Sequence, residues 1–470
     1  MSAPGRPQAL IPEPHGGEGT PVSAPGRSQA LIPEPLGGEA TPVSALPGTP
    51  AALLGPWLKG YPGTGPASPA AGLAALGWRL LADDLPMPLA VLRQSALQHN
   101  IAWMQAFARD RGLDLAPHGK TTMSPELFRR QLDAGAWGIT FATVGQLRVG
   151  VLAGVRRALI ANQVQQRADL DALAALLAAT PGLRVAFLVD SLAQLMQIEA
   201  WSRRTGPAPA LDVLLEVGIA GGRTGTRDHA QALALARALR ASPAVRLVGI
   251  ECYEGLGVAG DDAVDRPAAH ALMDRVQALA RAADRENLFE AEEVLLSAGG
   301  SAIFDLVAGG LRMALGRPLR GLLRSGCYVT YDHGHYRRLL EQVVRRCGCP
   351  TTLQPALEVW THVQSVPEPG LALLTGGRRD LSFDIELPRP VAWSAAGSTL
   401  ARPAALAWRV TALNDQHAHL RWDPSAGPGV EVGDRIGLGI SHPCTTFDKW
   451  RWMPVVDDDY RIVDAITTCF

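Results

Sequence analysis

From about residue 110 onward, short apolar runs alternate with longer amphipathic stretches, and the alternation repeats eight times. The runs are 113–117 (LDLAP), 138–143 (GITFAT), 157–162 (RALIAN), 183–190 (LRVAFLVD), 211–219 (LDVLLEVGI), 245–253 (VRLVGIECY), 292–300 (EEVLLSAGG) and 322–332 (LLRSGCYVTYD). Runs this short and apolar read as strands covered on both faces. The stretches between them carry helical spacing, as in 191–204 (SLAQLMQIEAWSRR) and 229–242 (HAQALALARALRAS). Eight strand–helix repeats over roughly 220 residues predict an α/β chain, a slightly compact (β/α)8 barrel. A doubly wound open sheet is the alternative.

The rhythm changes after about residue 340. Runs at 357–366, 371–377, 407–414 and 434–440 are separated by Pro and Gly turns with no clear amphipathic helix between them, which predicts a smaller all-β domain. Residues 2–22 and 23–43 form a near-perfect tandem repeat rich in Pro and Gly, too poor in apolar residues to offset the entropy of ordering. The expected organisation is therefore a disordered Pro/Gly-rich tail (1–50), a lead-in partly joining the β-domain (51–92), the barrel (93–340) and the C-terminal β-domain (341–470).

Composition narrows the function classes. With 47% hydrophobic and 19% charged residues the chain can build a sizeable core, and a net charge of −1 offers no basic surface for nucleic acid or anionic lipid. No run approaches the ~18 apolar residues of a membrane span. The N-terminus lacks a basic start and an apolar core, so no secretory signal is expected. Six cysteines in a chain this long make no disulfide framework, and a reducing cytoplasm is the expected location.

Lysine is scarce, which singles out Lys120 in APHGKTTMSPE, just past the first strand. Chemistry in such barrels gathers at this C-terminal face. A lysine beside His118, above an apolar core, can be partly desolvated and made nucleophilic toward an aldehyde. The seventh run ends in Gly299-Gly300-Ser301 and leads into a helix expected near Ile303, while the eighth carries Gly326-Cys327-Tyr328. Glycines let the backbone approach an anion, and loops after the last two strands commonly hold phosphate. Lysine and glycine turns together suit one phosphorylated aldehyde cofactor. Thr143, Asn162, Asp190, Arg223 and Tyr253 fall on the same rim, with Arg223 able to approach a cofactor ring nitrogen and Tyr253 to pack near it.

The stretch 255–260 matches G-x-G-x-x-G but follows the sixth run, and the next helical pattern starts only near Arg266, so it reads as a flexible glycine loop. In the extended segment after 434–440, His442 and Cys444 point the same way and can share one ion. Imidazole plus thiolate suits zinc, and two ligands leave positions open for water and substrate. Asp448 is a candidate partner for them. Cys347 and Cys349 read as ordinary thiols, and His333 and His335 as a polar rim loop.

Together these residues resemble the D-serine dehydratase and D-threonine aldolase-like family, which shares the alanine-racemase type of pyridoxal-phosphate barrel. The resemblance spans roughly residues 75–470. It rests on Pro117 to Thr121, Val189 to Ser191, Glu216 to Gly218, Arg223 to Gly225, Cys252 to Gly255, Ser297 to Ser301, Arg324 to Tyr328 with Asp332, and His442 to Cys444. It implies that Lys120 binds the aldehyde of pyridoxal 5'-phosphate, that Gly300, Ser301 and Gly326 hold the phosphate, and that His442 and Cys444 hold a divalent metal, zinc by preference. It also implies a head-to-tail homodimer whose second subunit helps to close each site. The implied reaction is dehydration of a D-β-hydroxy amino acid such as D-serine to a 2-oxo acid and ammonia. A thiolate at the second metal position is similar to the dehydratases, whereas the aldolases tend to carry a carboxylate. The alternatives are a D-threonine-type aldolase, a racemase, which would not need the metal pair, and a pyridoxal-phosphate-binding protein without turnover. The chain departs from the family's patterns at Thr122, where His is common after Lys-Thr, and at Glu216, where Asp is usual before x-Gly.

Overall fold

The computed structural model describes residues 53–206, 209–255, 258–349 and 351–470. The repeat tail (1–50) lies outside the described residues, as do Leu256 and Gly257 of the G-x-G-x-x-G stretch.

Eight parallel strands form one curled sheet: β1 (Asp114–Leu115), β2 (Ile139–Phe141), β3 (Arg157–Gln163), β4 (Arg184–Val189), β5 (Leu211–Val217), β6 (Val245–Cys252), β7 (Val294–Ala298) and β8 (Leu319–Leu323). They pair in the order β1-β8-β7-β6-β5-β4-β3-β2. Backbone N–H donation from Trp137 to Leu115 O (2.7 Å) and from Thr140 to Pro117 O (2.8 Å) joins β1 to β2, so the sheet closes into a barrel rather than an open sheet.

Inside the ring, Ala116, Leu159, Ala186, Leu188, Leu214, Val248, Leu295 and Leu322 pack into a separate apolar cluster. Side chains two apart share a face of a strand. Two residues beyond Ala116, Leu214, Leu295 and Leu322 stand His118, Glu216, Ser297 and Arg324, and Glu251 pairs in register with both Glu216 and Ser297. The barrel core therefore ends in a polar layer at its C-terminal mouth.

Ser124, Thr143, Ser191 and Asp228 each cap the helix that follows, accepting a hydrogen bond from the N–H three residues on. The helices Leu192–Thr205 and His229–Ala241 fall where the helical spacing predicts them.

The eighth strand differs from expectation. It is Leu319–Leu323, and the rest of the run at 322–332 is loop with a short 3-10 turn at Cys327–Val329. Tyr328, Val329 and Tyr331 are apolar because they are buried, not because they are extended. The helix after β7 is also only five residues, Phe304–Ala308.

In the β-domain, the lead-in strand Leu89–Arg93 runs antiparallel to β9 (Leu357–Glu368) and parallel to Trp452–Val456, and β9 also pairs with β10 (Arg435–Gly439). Strands Arg389–Ser394, Ala418–Arg421, Trp452–Val456 and Ile462–Thr467 add to those expected from the sequence. The amphipathic helix His335–Cys347 runs across position 340.

Candidate active site

Lys120 lies on a 3-10 turn (Gly119–Thr121) directly after β1, at the C-terminal mouth. It is exposed and makes no hydrogen bond or ion pair with the described residues, so the expected desolvation of its amine is not what the fold provides. Beside it, the His118 ring is held far below its usual pKa, first by burial and then by the charges of Lys120 and Arg324. Its Nδ1 is buried with no hydrogen-bond partner.

Gly326 places the β8 loop against this turn, where a Cβ would stand 2.7 Å from both His118 O and Thr121 Oγ1. The two glycine loops are stitched together. Ser325 Oγ donates to Gly300 O (2.7 Å), and Cys327 N–H donates to Ser301 Oγ (3.2 Å). Gly299 has φ +129°, and a Cβ there would lie 2.8 Å from Arg324 N.

The amides of Gly299 and Gly300 do not wait at a helix N-terminus, since the five-residue helix begins only at Phe304. They converge instead on the Glu254 carboxylate, at 2.9 and 2.5 Å. A buried carboxylate already stands where these amides collect negative charge, so the loop is chemically able to take an anion. The sequence showed Glu254 only as part of the stretch Cys252 to Gly255, not as this brace, because its partners lie 45 and 46 residues away.

The polar layer supports the rim. Arg324 donates to Ser297 Oγ (2.7 Å), to the Glu251 carboxylate and to Cys252 O (3.2 Å), leaving its Nε and Glu251 Oε2 buried without partners. Burial raises the Glu251 carboxyl to about 7, against the pull of Arg324. Glu216 accepts from Gln163 Nε2 (2.5 Å) and Thr224 Oγ1 (2.6 Å), and Asp190 accepts from Gly225 N–H (3.0 Å). Those bonds hold the loop that sets the Arg223 guanidinium over the Tyr253 ring, 5.0 Å from its centroid.

Two rim candidates are otherwise engaged. Thr143 is exposed and spends its hydroxyl capping the helix Val144–Leu152 (3.2 Å from Gln146 N). Tyr328 is turned into the core, its hydroxyl accepting from Gln131 Nε2 at 2.9 Å. Asn162 donates to Ala142 O.

The C-terminal pair reaches the same mouth. Cys444 Sγ is 3.5 Å from Thr121 Oγ1, next to Lys120, and 3.7 Å from Cys327 Sγ. His442 Nδ1 bonds to Asp384 Oδ2 at 2.5 Å. A carboxylate on one ring nitrogen is the arrangement that orients a metal-binding imidazole. Burial works against the charge on His442, yet Cys444 and Asp384 hold it up to about 9. The hydrogen bond from Cys327 is the first cause holding the Cys444 thiol well below its usual range. Asp448 is not the partner of His442. Its ion contact is Lys449, at 3.7 Å. His333 is half-buried, its Nδ1 is buried and unpaired, and desolvation of the ring pushes it down to about 3.

Residues 92–318 match the family model "Alanine racemase, N-terminal domain", and residues 356–456 match "Putative serine dehydratase domain". By both matches the chain is similar to the D-serine dehydratase and D-threonine aldolase-like pyridoxal-phosphate lyases. Similar members of this family include a D-threonine aldolase of Arthrobacter sp., 28% identical over 371 residues (79% of this chain, 89% of the relative). A D-threo-3-hydroxyaspartate dehydratase of Delftia sp. (strain HT23) is 28% identical over 374 residues (77% and 92%). The crystal structure of a D-threonine aldolase from Filomicrobium marinum superposes with a TM-score of 0.69 at 25% identity, covering 83% of this chain and 97% of that one.

Proposed function

We propose that the protein is a pyridoxal-phosphate- and metal-dependent dehydratase that converts a D-β-hydroxy amino acid, such as D-serine, to a 2-oxo acid and ammonia. The observation that carries this reading is the meeting of three features at one mouth: the Lys120 turn, the glycine loops, and Cys444, 3.5 Å from Thr121 Oγ1. The residues present suit a phosphorylated aldehyde. A free amine, an unpartnered buried imidazole nitrogen at His118, and amides that already collect a carboxylate surround the glycines.

Lys120, Gly299, Gly300, Ser301 and Gly326 would hold the cofactor, with Arg223, Tyr253 and Cys327 beside it. Bound there, pyridoxal phosphate supplies an electron sink for charge at the substrate's Cα. His442 and Cys444 would hold a divalent ion, zinc by the softness of its donors, which supplies Lewis acidity toward a β-hydroxyl.

The chain's own residues do the rest. Lys120, unbonded on its turn, removes the α-proton as general base. His118, kept neutral, adds no charge beside that amine. Asp384 fixes the His442 tautomer. Loss of water and then hydrolysis yield ammonia and, from D-serine, pyruvate.

No helix among the described residues is long and apolar enough to cross a membrane. Cysteines left free at 3.7 Å suit a reducing cytoplasm.

The likeness to D-threonine aldolases favours a second reading, cleavage to glycine and an aldehyde. Incubating the protein with cofactor, zinc and D-serine, D-threonine or D-3-hydroxyaspartate separates the two. Oxo acid with ammonia is expected. Glycine with aldehyde selects the aldolase, and no product from any of the three leaves a cofactor-binding protein without turnover.

A further inference from the structure

The opposite end of the barrel holds a layer of charge that the proposed reaction does not use. Two residues before the inner apolar residues Ala116, Leu322, Leu295, Val248 and Leu214 stand Asp114, Arg320, Glu293, Arg246 and Asp212, the N-terminal counterpart of the polar layer at the mouth. Taken in strand order from β1, their signs alternate. Neighbours are bound to one another: Arg320 to Asp114 and, at 2.7 Å, to Glu293, and Arg246 to Asp212 at 2.6 Å. A ring of paired charges at this end of a barrel serves stability.

The alternation breaks at one place. Arg184 on β4 continues it after Asp212, but Arg157 on β3 comes next, and the two arginines pair in register on neighbouring strands. Like charges directly opposite each other destabilise a sheet. Neither arginine makes a hydrogen bond or ion pair with the described residues. Asp212 is bound to Arg246 and acts on Arg184 only more weakly. The other acids of this end, Glu290 and Glu292, precede β7, three strands from β4, and Glu290 pairs with Arg240 at 3.3 Å. What Arg157 does meet is aromatic: it lies over the Trp137 ring, 6.0 Å from its centroid.

Both arginines line a cavity of about 790 Å³, floored by Ala186, Val248 and Leu295 of the inner cluster and walled by Trp137. Pockets for small organic molecules span roughly 300–1,000 Å³. We propose that this end of the barrel is a second binding site, in which Arg157 and Arg184 take the carboxylate of a small organic acid whose apolar body rests on the floor beside Trp137. Guanidiniums hold carboxylates through charge-assisted, often bidentate hydrogen bonds, which no acid of the ring supplies here. A bound carboxylate restores the alternation of sign, and the floor takes the acid's body out of water. The apolar floor and the acids further round the ring disfavour a dianion with a polar body. The site stands apart from the proposed reaction, whose residues occupy the other mouth.

Isothermal titration of 3-phenylpropionate into the cofactor-loaded protein tests this, with 3-phenylpropan-1-ol and inorganic phosphate as comparisons. Saturable binding of the acid is expected, with the alcohol and phosphate much weaker. Arg157→Glu sets an acid beside Arg184 and completes the alternation, so it should lower affinity for the acid about ten-fold or more, as loss of a hydrogen bond to a charged group does. Arg184→Gln should lower it in the same direction. No saturable heat from the acid overturns the site. Equal affinity in both variants places the acid elsewhere and overturns it too. An alcohol that binds as well as the acid removes the role of the arginines, and phosphate that binds as well removes that of the floor. Because the three ligands are compared on the unmodified protein, misfolding of a variant does not blunt the test.

Discussion

Of the three lysines in the chain, two are occupied. Lys59 pairs with Asp380 at 3.1 Å and lies over the Trp450 ring, and Lys449 lies 3.7 Å from Asp448. Lys120 alone stands unbonded at the barrel mouth, so replacing it removes no hydrogen bond or ion pair among the described residues. Lys120→Ala should change stability by no more than about 0.5 kcal/mol. It should also abolish the visible absorbance of the cofactor-loaded protein and its turnover. Unfolding midpoints and an absorbance spectrum check this, and an unchanged spectrum would name another lysine. The place of Lys120 was legible because strand order alone puts its turn at the C-terminal mouth of the barrel. Asp384 was not. Its bond to His442 spans 58 residues, and no local spacing announces such a pair, so attention fell on nearby Asp448.

At the scale of elements, the strands could be read because burial on both faces makes them short and apolar, and the helices because one stripe repeats. The same signal misled at the eighth run, where a buried loop is as apolar as a strand. It also hid the nature of the glycine turn: the Gly299 and Gly300 amides belong to a loop braced by Glu254, not to a helix start. Glu254→Ala leaves two buried amides unpaired, at a cost of roughly 1–3 kcal/mol in the cofactor-free protein. If the cofactor's phosphate takes those amides, adding pyridoxal phosphate restores most of that loss. Thermal midpoints of both proteins with and without cofactor measure it, and an equal deficit in both states would place the phosphate elsewhere.

Across the whole molecule, the site exists only because distant segments meet. The lead-in strand Leu89–Arg93 is built into the β-domain sheet, Arg130 on the helix after β1 pairs with Asp464 at 2.5 Å, and Cys444 reaches Thr121. Composition and periodicity foretold two kinds of domain, but nothing in either said that the second would lie against the mouth of the first. Beside that mouth, alternate residues of one segment part company. Asp384 turns to His442 and Glu386 to Arg338 and Arg389, while Phe383, Ile385 and Leu387 are 42%, 41% and 38% exposed. An apolar strip held open by charged neighbours next to the barrel mouth is where the head-to-tail dimer that the family resemblance implies would find a contact. If that dimer buries the strip, Ile385→Asp should weaken it by on the order of 2 kcal/mol or more, because an unpaired carboxylate would enter the contact. The variant's mass in solution, measured across a dilution series, should fall to that of one chain at concentrations where the parent stays paired, and turnover should fall with it. A dimer that persists undiminished would put the interface on another face and leave the strip without that role.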